Sequence, residues 1–237
     1  PDFWMKIEHL GRYLFAAYAM RKNGVQGPVL DIGCANGYGL KHLATTKQAL
    51  TGIDYDAKLL AQAKGTLPDA HLIHTDLDTT PLSALDHQHA PYALITAFEV
   101  LEHLDTPGDV LAAAATLLKP GGLLLLSVPN PRFENVSDEG DPQNPYHHHA
   151  FSLDDIQALT QKAGLTVEKV MGQAMCNTLF NRERNLVRRG QATAPHFSHE
   201  RYQTPEMIDY MARLFAWPDE EALQNSYSYI LVCRGDS

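Results

Sequence analysis

The run Val29-Leu30-Asp31-Ile32-Gly33-Cys34-Ala35-Asn36-Gly37-Tyr38-Gly39 reads as an apolar strand that breaks into a glycine-rich turn and opens a helix. Glycine lets the backbone come close to a ligand, and the first turn of a helix presents N–H groups with no partner inside it. An acid follows at a telling distance. Gly52-Ile53-Asp54 ends the next apolar run, and an acidic group about twenty residues past the first glycine meets ribose hydroxyls in nucleotide-binding sheets. Tight packing alone would use the same glycines. Further on, Glu99-x-x-Glu102-His103 would share one face of a helix, where two carboxylates and an imidazole suit a divalent cation. Tyr146-His147-His148-His149 closes a long polar stretch, and a neutral imidazole can take a hydroxyl proton near working pH. His149 is the first candidate for such a base, His147 the second and His103 the third. The alternative is that these histidines pin their loop to the helix that follows.

These residues need a frame. Short apolar runs alternate with amphipathic stretches from Pro28 onward: PVLDIG, YGLKHLATT, TGIDYD, AKLLAQAKG, HLIHTD, YALITAF, VLAAAATLLK, GLLLLSV. Strands that are almost continuously Val, Ile and Leu are buried on both faces, and the segments between them are long enough to be crossover helices. The expected fold is α/β, a doubly wound, mostly parallel seven-stranded sheet. A helix precedes it over Phe3–Met20, where Ile7, Leu10, Leu14 and Phe15 recur at helical spacing. Lys119-Pro120-Gly121-Gly122 is expected to end a helix and open the strand Leu123–Val128. Ser152, with Asp155 three residues later, reads as a capping box, and Leu165–Val170 as a strand. The segment 172–225 breaks the rhythm, with helical pieces at Pro205–Phe215 and Pro218–Leu223, before a last strand at Tyr227–Val232. The expected division is therefore an N-terminal lid helix (1–24), the sheet domain (25–171), a helical insertion over an acceptor pocket (172–225) and the final strand (226–237).

In this order and spacing, DIGCANGYG, GIDYD, HTDLD, FEVLEHL and LLKPGGLLLLSVPN resemble the class I S-adenosylmethionine-dependent methyltransferases, from Pro28 to about Val170. A dehydrogenase shares the turn and the acid, but its pattern has no place for FEVLEHL or KPGG. The resemblance implies S-adenosylmethionine as cofactor. It implies that Asp31, Gly33, Ala35 and Gly37 line the methionine half and that Asp54 takes the ribose hydroxyls. Tyr55 would stack on the adenine, Asp76 would read its amino group with Leu77 beside it, and Ala97 and Phe98 would pass under the sulfonium. Ala35 departs from the glycine usual there. Arg12, on the leading helix, would pair with the methionine carboxylate.

The acceptor is less legible. The (Asp/Asn)-Pro-Pro-Tyr motif of amino-methylating relatives is replaced by Ala97-Phe98-Glu99-Val100, which favours a hydroxyl of a small molecule or glycan with histidine as base. Glu99, Glu102, His103 and His149 are also similar to the metal site of small-RNA 3′-terminal 2′-O-methyltransferases, an alternative reading. A non-catalytic S-adenosylmethionine-binding regulator is a third. The net charge of −9 disfavours nucleic acid, although Arg182, Arg184, Arg188 and Arg189 could cradle an anion, and Met175, Phe180 and Tyr202 could roof a pocket. Three scattered cysteines and a charged N-terminus suggest a cytoplasmic setting without a membrane span, and leave the oligomeric state open.

Overall fold

A computed structural model describes residues 3–44, 48–133, 144–173, 182, 185–191 and 203–235. Seven strands, β1 (Val29–Ile32), β2 (Leu50–Asp54), β3 (His71–His74), β4 (Tyr92–Phe98), β5 (Leu118–Pro129), β6 (Leu165–Gln173) and β7 (Ser228–Gly235), form one sheet in the order β3-β2-β1-β4-β5-β7-β6. The first five run parallel, and β7 runs antiparallel to both its neighbours. The chain travels outward from β1 in one direction and resumes at β4 in the other. That reversal leaves a crevice beyond the carboxyl ends of β1 and β4, which is where sheets of this kind hold ligands.

The uninterrupted leucines of β5 follow from burial on both faces. Leu124 and Leu126 pack in a core with α4 (Pro107–Leu117) and α5 (Leu153–Lys162), while Leu123 and Leu125 face the opposite core with α1 (Phe3–Lys22) and α2 (Leu40–Leu43). Alternating side chains thus feed two helical layers. Two further helices are α3 (Ala57–Thr66), which Asp56 caps by accepting from Lys58 and Leu59 N–H, and α6 (Pro205–Phe215), capped by Thr204. The expected capping box of Ser152 and Asp155 starts α5.

Three local expectations change. KPGG does not precede the strand but lies within it. The pairing shifts from Tyr92↔Leu118 to Leu94↔Leu123, so Lys119 to Gly122 bulge out, with Gly121 at φ +71°. FEVLEHL is not an α-helix, because Glu99 leaves β4 at φ +53° and only Leu101–His103 winds, as a 3₁₀ turn. Pro218–Leu223 is not a helix either; Asp219 pairs with Gly172 at the end of β6, and a 3₁₀ turn follows at Leu223–Asn225. Strand β6 accordingly runs to Gln173, two residues into the segment read as an insertion. Met175, Cys176, Phe180, Arg184 and Tyr202 lie outside the described residues, while Arg182, Arg188 and Arg189 are exposed.

Helix α1 buries 14 of its 20 residues. Its inner end packs on α6 through Phe3, Trp4, Ile7 and Leu10 against Met211, Ala212 and Ala216. Near its middle, the ring of Tyr13 lies where a Cβ on Gly39 would fall, 2.1 Å away. Gly39→Ala is therefore expected to push Tyr13 and α1 off the sheet and to cost about 1–3 kcal/mol of unfolding free energy. A chemical-denaturation midpoint equal to that of the parent protein would show that the helix gives way freely. Among the described residues no helix is long and apolar enough to cross a membrane.

Candidate active site

The turn after β1 is held from below. Asp31 is fully buried, and its carboxylate accepts hydrogen bonds from the Tyr13 hydroxyl at 3.1 and 3.2 Å and from Thr96 Oγ1 at 2.7 Å. Burial pushes its pKa up to about 7, against the pull of those donors. Asp31 thus joins β1, β4 and α1 directly beneath the turn that is expected to hold the methionine half. Gly33 turns the chain at φ +74°. Ala35 follows at φ +49°, a left-handed conformation costing an L-residue roughly 1–2 kcal/mol, which is the physical reason for glycine at this place in relatives. Its N–H donates to Asp54 Oδ2 at 2.7 Å, and Asp56 N–H donates to Oδ1 at 2.9 Å. The acid at the end of β2 is thereby fixed against the turn. Gly37 packs on α3, where a Cβ would meet Leu67 and Ala63.

A cavity of about 570 Å³ opens above this turn. Gly33, Ala35, Asn36 and Tyr38 form its floor, Phe98 and Glu99 one side, and Met5, His9, Leu10 and Tyr13 of α1 its roof, with Pro205 and Ile208 of α6 at the edge. Phe98 meets the Tyr13 ring edge-on at 5.0 Å. Ala97 is buried in the core on the other face of the sheet and lines neither cavity. Asp54, Tyr55, Asp76 and Leu77 also lie outside the lining, on the continuation past Ala35. Tyr55 is 77% exposed, Asp76 is exposed and bonded to the Asp78 N–H, and Leu77 packs half-buried on the core.

A second cavity of about 630 Å³ adjoins the first, and Met5, His9 and Glu99 line both. Its other walls are Glu8 and Arg12 of α1, Glu102 and His103 of the 3₁₀ turn, Pro129, Asn130 and Phe133 after β5, and His147. Arg12 is 1% exposed. It donates through Nε to Gln173 Oε1 at 2.9 Å and through Nη2 to Ser228 Oγ at 3.0 Å, and Nη1 lies 3.4 Å from Glu99 Oε1. Burial disfavours its charge, but Glu99 and then Glu8 outweigh that and raise its pKa. Arg12 therefore turns to Glu99, Gln173 and Ser228, and its expected pairing with a methionine carboxylate stays an expectation. Glu99 also accepts from Ser127 Oγ at 2.7 Å. Because Glu99 is committed here, it does not share a face with Glu102 and His103 as a helix would require; those two stand with His147 instead, all donor atoms lying within 4.8 Å of one another. The His149 ring tilts over Phe151 at 5.3 Å and is in neither lining, whereas His147 and His103 line the second cavity.

Sequence reasoning passed over His9. Its Nδ1 lies 2.9 Å from the Tyr38 hydroxyl, and burial, with Arg12 adding to it, lowers its pKa to about 4. The signal was present: Met5, His9 and Tyr13 recur at four-residue steps, one stripe on α1 beside the apolar face. Within the segment 172–225, the described residues lining a cavity are Pro205 and Ile208, on the turn side and not in the second cavity.

The cradle fits a nucleoside-bearing methyl donor on its own geometry: an open strand-to-helix turn, an anchored acid beyond it, and a cavity within the range of about 300–1,000 Å³ usual for small ligands. The fold and this site define a class I, S-adenosylmethionine-dependent methyltransferase. The chain belongs to the methyltransferase-domain family, whose profile matches residues 7–170. It is 30% identical over 144 residues to a probable S-adenosylmethionine-dependent methyltransferase of Mycolicibacterium smegmatis, covering 61% of this chain and 54% of that one. It is 35% identical over 106 residues to the ubiquinone biosynthesis O-methyltransferase of Burkholderia cenocepacia, covering 43% and 44%. The chain spans about half the length of the curated relatives it matches. An S-adenosylmethionine-dependent methyltransferase of Clostridium acetobutylicum shares the fold at a TM-score of 0.63 and 10% identity, over 96% of this chain and 92% of that one. The phosphoethanolamine N-methyltransferase 2 of Haemonchus contortus, solved with S-adenosyl-L-methionine, shares it at 0.58 and 14% identity, over 93% and 52%.

Proposed function

We propose that the chain methylates a hydroxyl of a small-molecule or glycan acceptor seated in the second cavity. The observation that carries this reading is the shared wall of Met5, His9 and Glu99, across which a donor on the turn and an acceptor in the second cavity come face to face. When bound, S-adenosylmethionine supplies a sulfonium methyl that passes to the acceptor oxygen as its C–S bond breaks. Gly33 and Ala35 would hold the methionine half and Asp54 the ribose. Phe98, braced by Tyr13, closes one side of that cavity against water. Among the described residues the second cavity is lined by Glu8, Glu99 and Glu102 and by one guanidinium, that of Arg12, a lining that disfavours a polyanion such as RNA and suits a neutral acceptor.

Methylating a hydroxyl releases a proton, and His9 is the imidazole placed on the shared wall to take it. In the tautomer that serves this role His9 Nδ1–H donates to the Tyr38 oxygen, which orients the ring and leaves the Nε2 lone pair free to take the proton, and the lowered pKa keeps the imidazole neutral down to about pH 4. His9→Gln is expected to lower turnover about 100-fold with a far smaller change in S-adenosylmethionine affinity. The acid limb of the parent protein's turnover should fall near pH 4 and not near 6.5, because protonation silences His9 only below its depressed pKa. Full activity of the variant at every pH would remove His9 from this role.

The acceptor class is tested with methyl-labelled S-adenosylmethionine and a panel of phenols, sugars and amines, locating the label by mass spectrometry. Label on oxygen supports the proposal, and label on nitrogen or carbon overturns it. Tight donor binding with no transfer to any acceptor would make the chain a binding protein.

A further inference from the structure

The second cavity contains a set of donors that the proton and donor chemistry above does not use. Glu102 is 1% exposed, and its carboxylate, an imidazole nitrogen of His103 and one of His147 lie within 4.8 Å of one another. The His103 ring has a settled orientation. Its Nδ1 is 2.7 Å from the Tyr146 carbonyl oxygen, which only accepts, so Nδ1 carries the hydrogen and the neutral ring presents a lone pair at Nε2. That Nε2 is the atom turned to Glu102, 3.9 Å from Oε1. A backbone carbonyl behind an imidazole is the arrangement that fixes metal-ligating histidines. The loop carrying His147 is clamped to the same turn, because the N–H groups of His148 and His149 both donate to the Glu102 carbonyl, at 2.7 and 3.2 Å. The His147 ring stands edge-on to His103 at 4.7 Å. Around the set, the described lining also brings Glu8, Glu99 and Arg12 to the same cavity.

We propose that Glu102, His103 and His147 form a divalent-cation site in the wall of the acceptor cavity. Two imidazoles and one carboxylate suit a first-row ion such as Zn²⁺, Co²⁺ or Mn²⁺ and leave coordination positions open. Donors bound at about 2.0–2.2 Å in a tetrahedral set lie about 3.4 Å apart around the ion, so a pair standing as far apart as 4.8 Å draws together by about an ångström when it binds. The open positions face the cavity, where the ion takes an acceptor hydroxyl as a ligand and lowers its pKa, making the weakly basic His9 sufficient as proton acceptor. This role in transfer rests on the O-methylation proposed above; the site itself does not.

The test uses the full chain, stripped with a chelator and titrated with Co²⁺ alone, followed by the cobalt visible spectrum and by calorimetry. One ion per chain is expected, with a visible band of a nitrogen- and oxygen-ligated site. Glu102→Gln, His103→Gln and His147→Gln should each weaken binding at least 10-fold, with circular dichroism confirming that each variant is folded. His148→Ala, whose side chain pairs with Asp105 outside the trio, should bind like the parent. No binding, or binding unchanged in all three variants, overturns the site. Co²⁺ binding together with methyl transfer only to nitrogen upholds the site and overturns O-methylation. Oxygen methylation undiminished in the stripped protein overturns the ion's part in transfer.

Discussion

Arg12→Ala is expected to lower the unfolding free energy by about 3–5 kcal/mol, the usual consequence of stranding the partner of a buried ion pair. The loss has named parts. Gln173 and Ser228 lose their charged donor, and Glu99 keeps its carboxylate in a wall with Glu8 and Glu102 and no cation beside it. Urea denaturation followed by circular dichroism reads the change as a lower midpoint at constant slope. Arg12→Met combined with Glu99→Gln should lose less than the two single changes added together, because neither charge is then left alone. A loss below about 1 kcal/mol for Arg12→Ala would place the pair in the class of solvated ion pairs, whose contribution is small.

Asp54→Ala is expected to reduce S-adenosylmethionine affinity about 1,000-fold, beyond what calorimetry detects at ordinary protein concentration. Two effects combine. Two hydrogen bonds from ribose hydroxyls to an ionised carboxylate are lost, each worth about 1.5–3 kcal/mol. The N–H groups of Ala35 and Asp56 also lose their acceptor, so the turn whose Ala35 sits at φ +49° is no longer held in its strained shape. Asp54→Asn separates the two: one amide oxygen can still accept from Ala35 while the charge is gone, and an intermediate affinity is expected. Unchanged affinity in Asp54→Ala would sink the ribose assignment.

The sheet was legible because its strands are buried on both faces, which writes them as continuous Val, Ile and Leu, and because the glycine turn after β1 marks where strand gives way to helix. The acid at Asp54 was legible through its spacing. Glu99 was not. Its residue type and its distance from Glu102 suggested a helical face, but a left-handed φ at the first residue after β4 sends its side chain to Arg12 and Ser127, and no local pattern marks that turn. The ranking of the histidines was illegible for a related reason. His147, His148 and His149 are equivalent in sequence, and only the clamp of their backbone on the Glu102 carbonyl decides that His147 faces the cavity while His149 packs on Phe151. His9 was hidden among the apolar residues of α1, where its meaning depends on Tyr38, 29 residues away. KPGG was read as a boundary because proline and glycine punctuate the chain, and a bulge uses the same residues.

A methyltransferase must release its demethylated donor after every cycle, and the fastening of α1 decides by which side. The helix roofs the donor cavity, yet Arg12 bolts it to β6 and β7, Tyr13 to β1, and Trp4, Ile7 and Leu10 to α6. Swinging it aside would break all three fastenings at once and open much of the hydrophobic layer beneath. The helix is a fixed wall. At the strand ends beyond Asp54, by contrast, Tyr55 stands in solvent and Asp76 is exposed, and donor exchange is expected on that side. A donor held as proposed, with its ribose at Asp54, would withdraw its adenosine end first and its methionine end last.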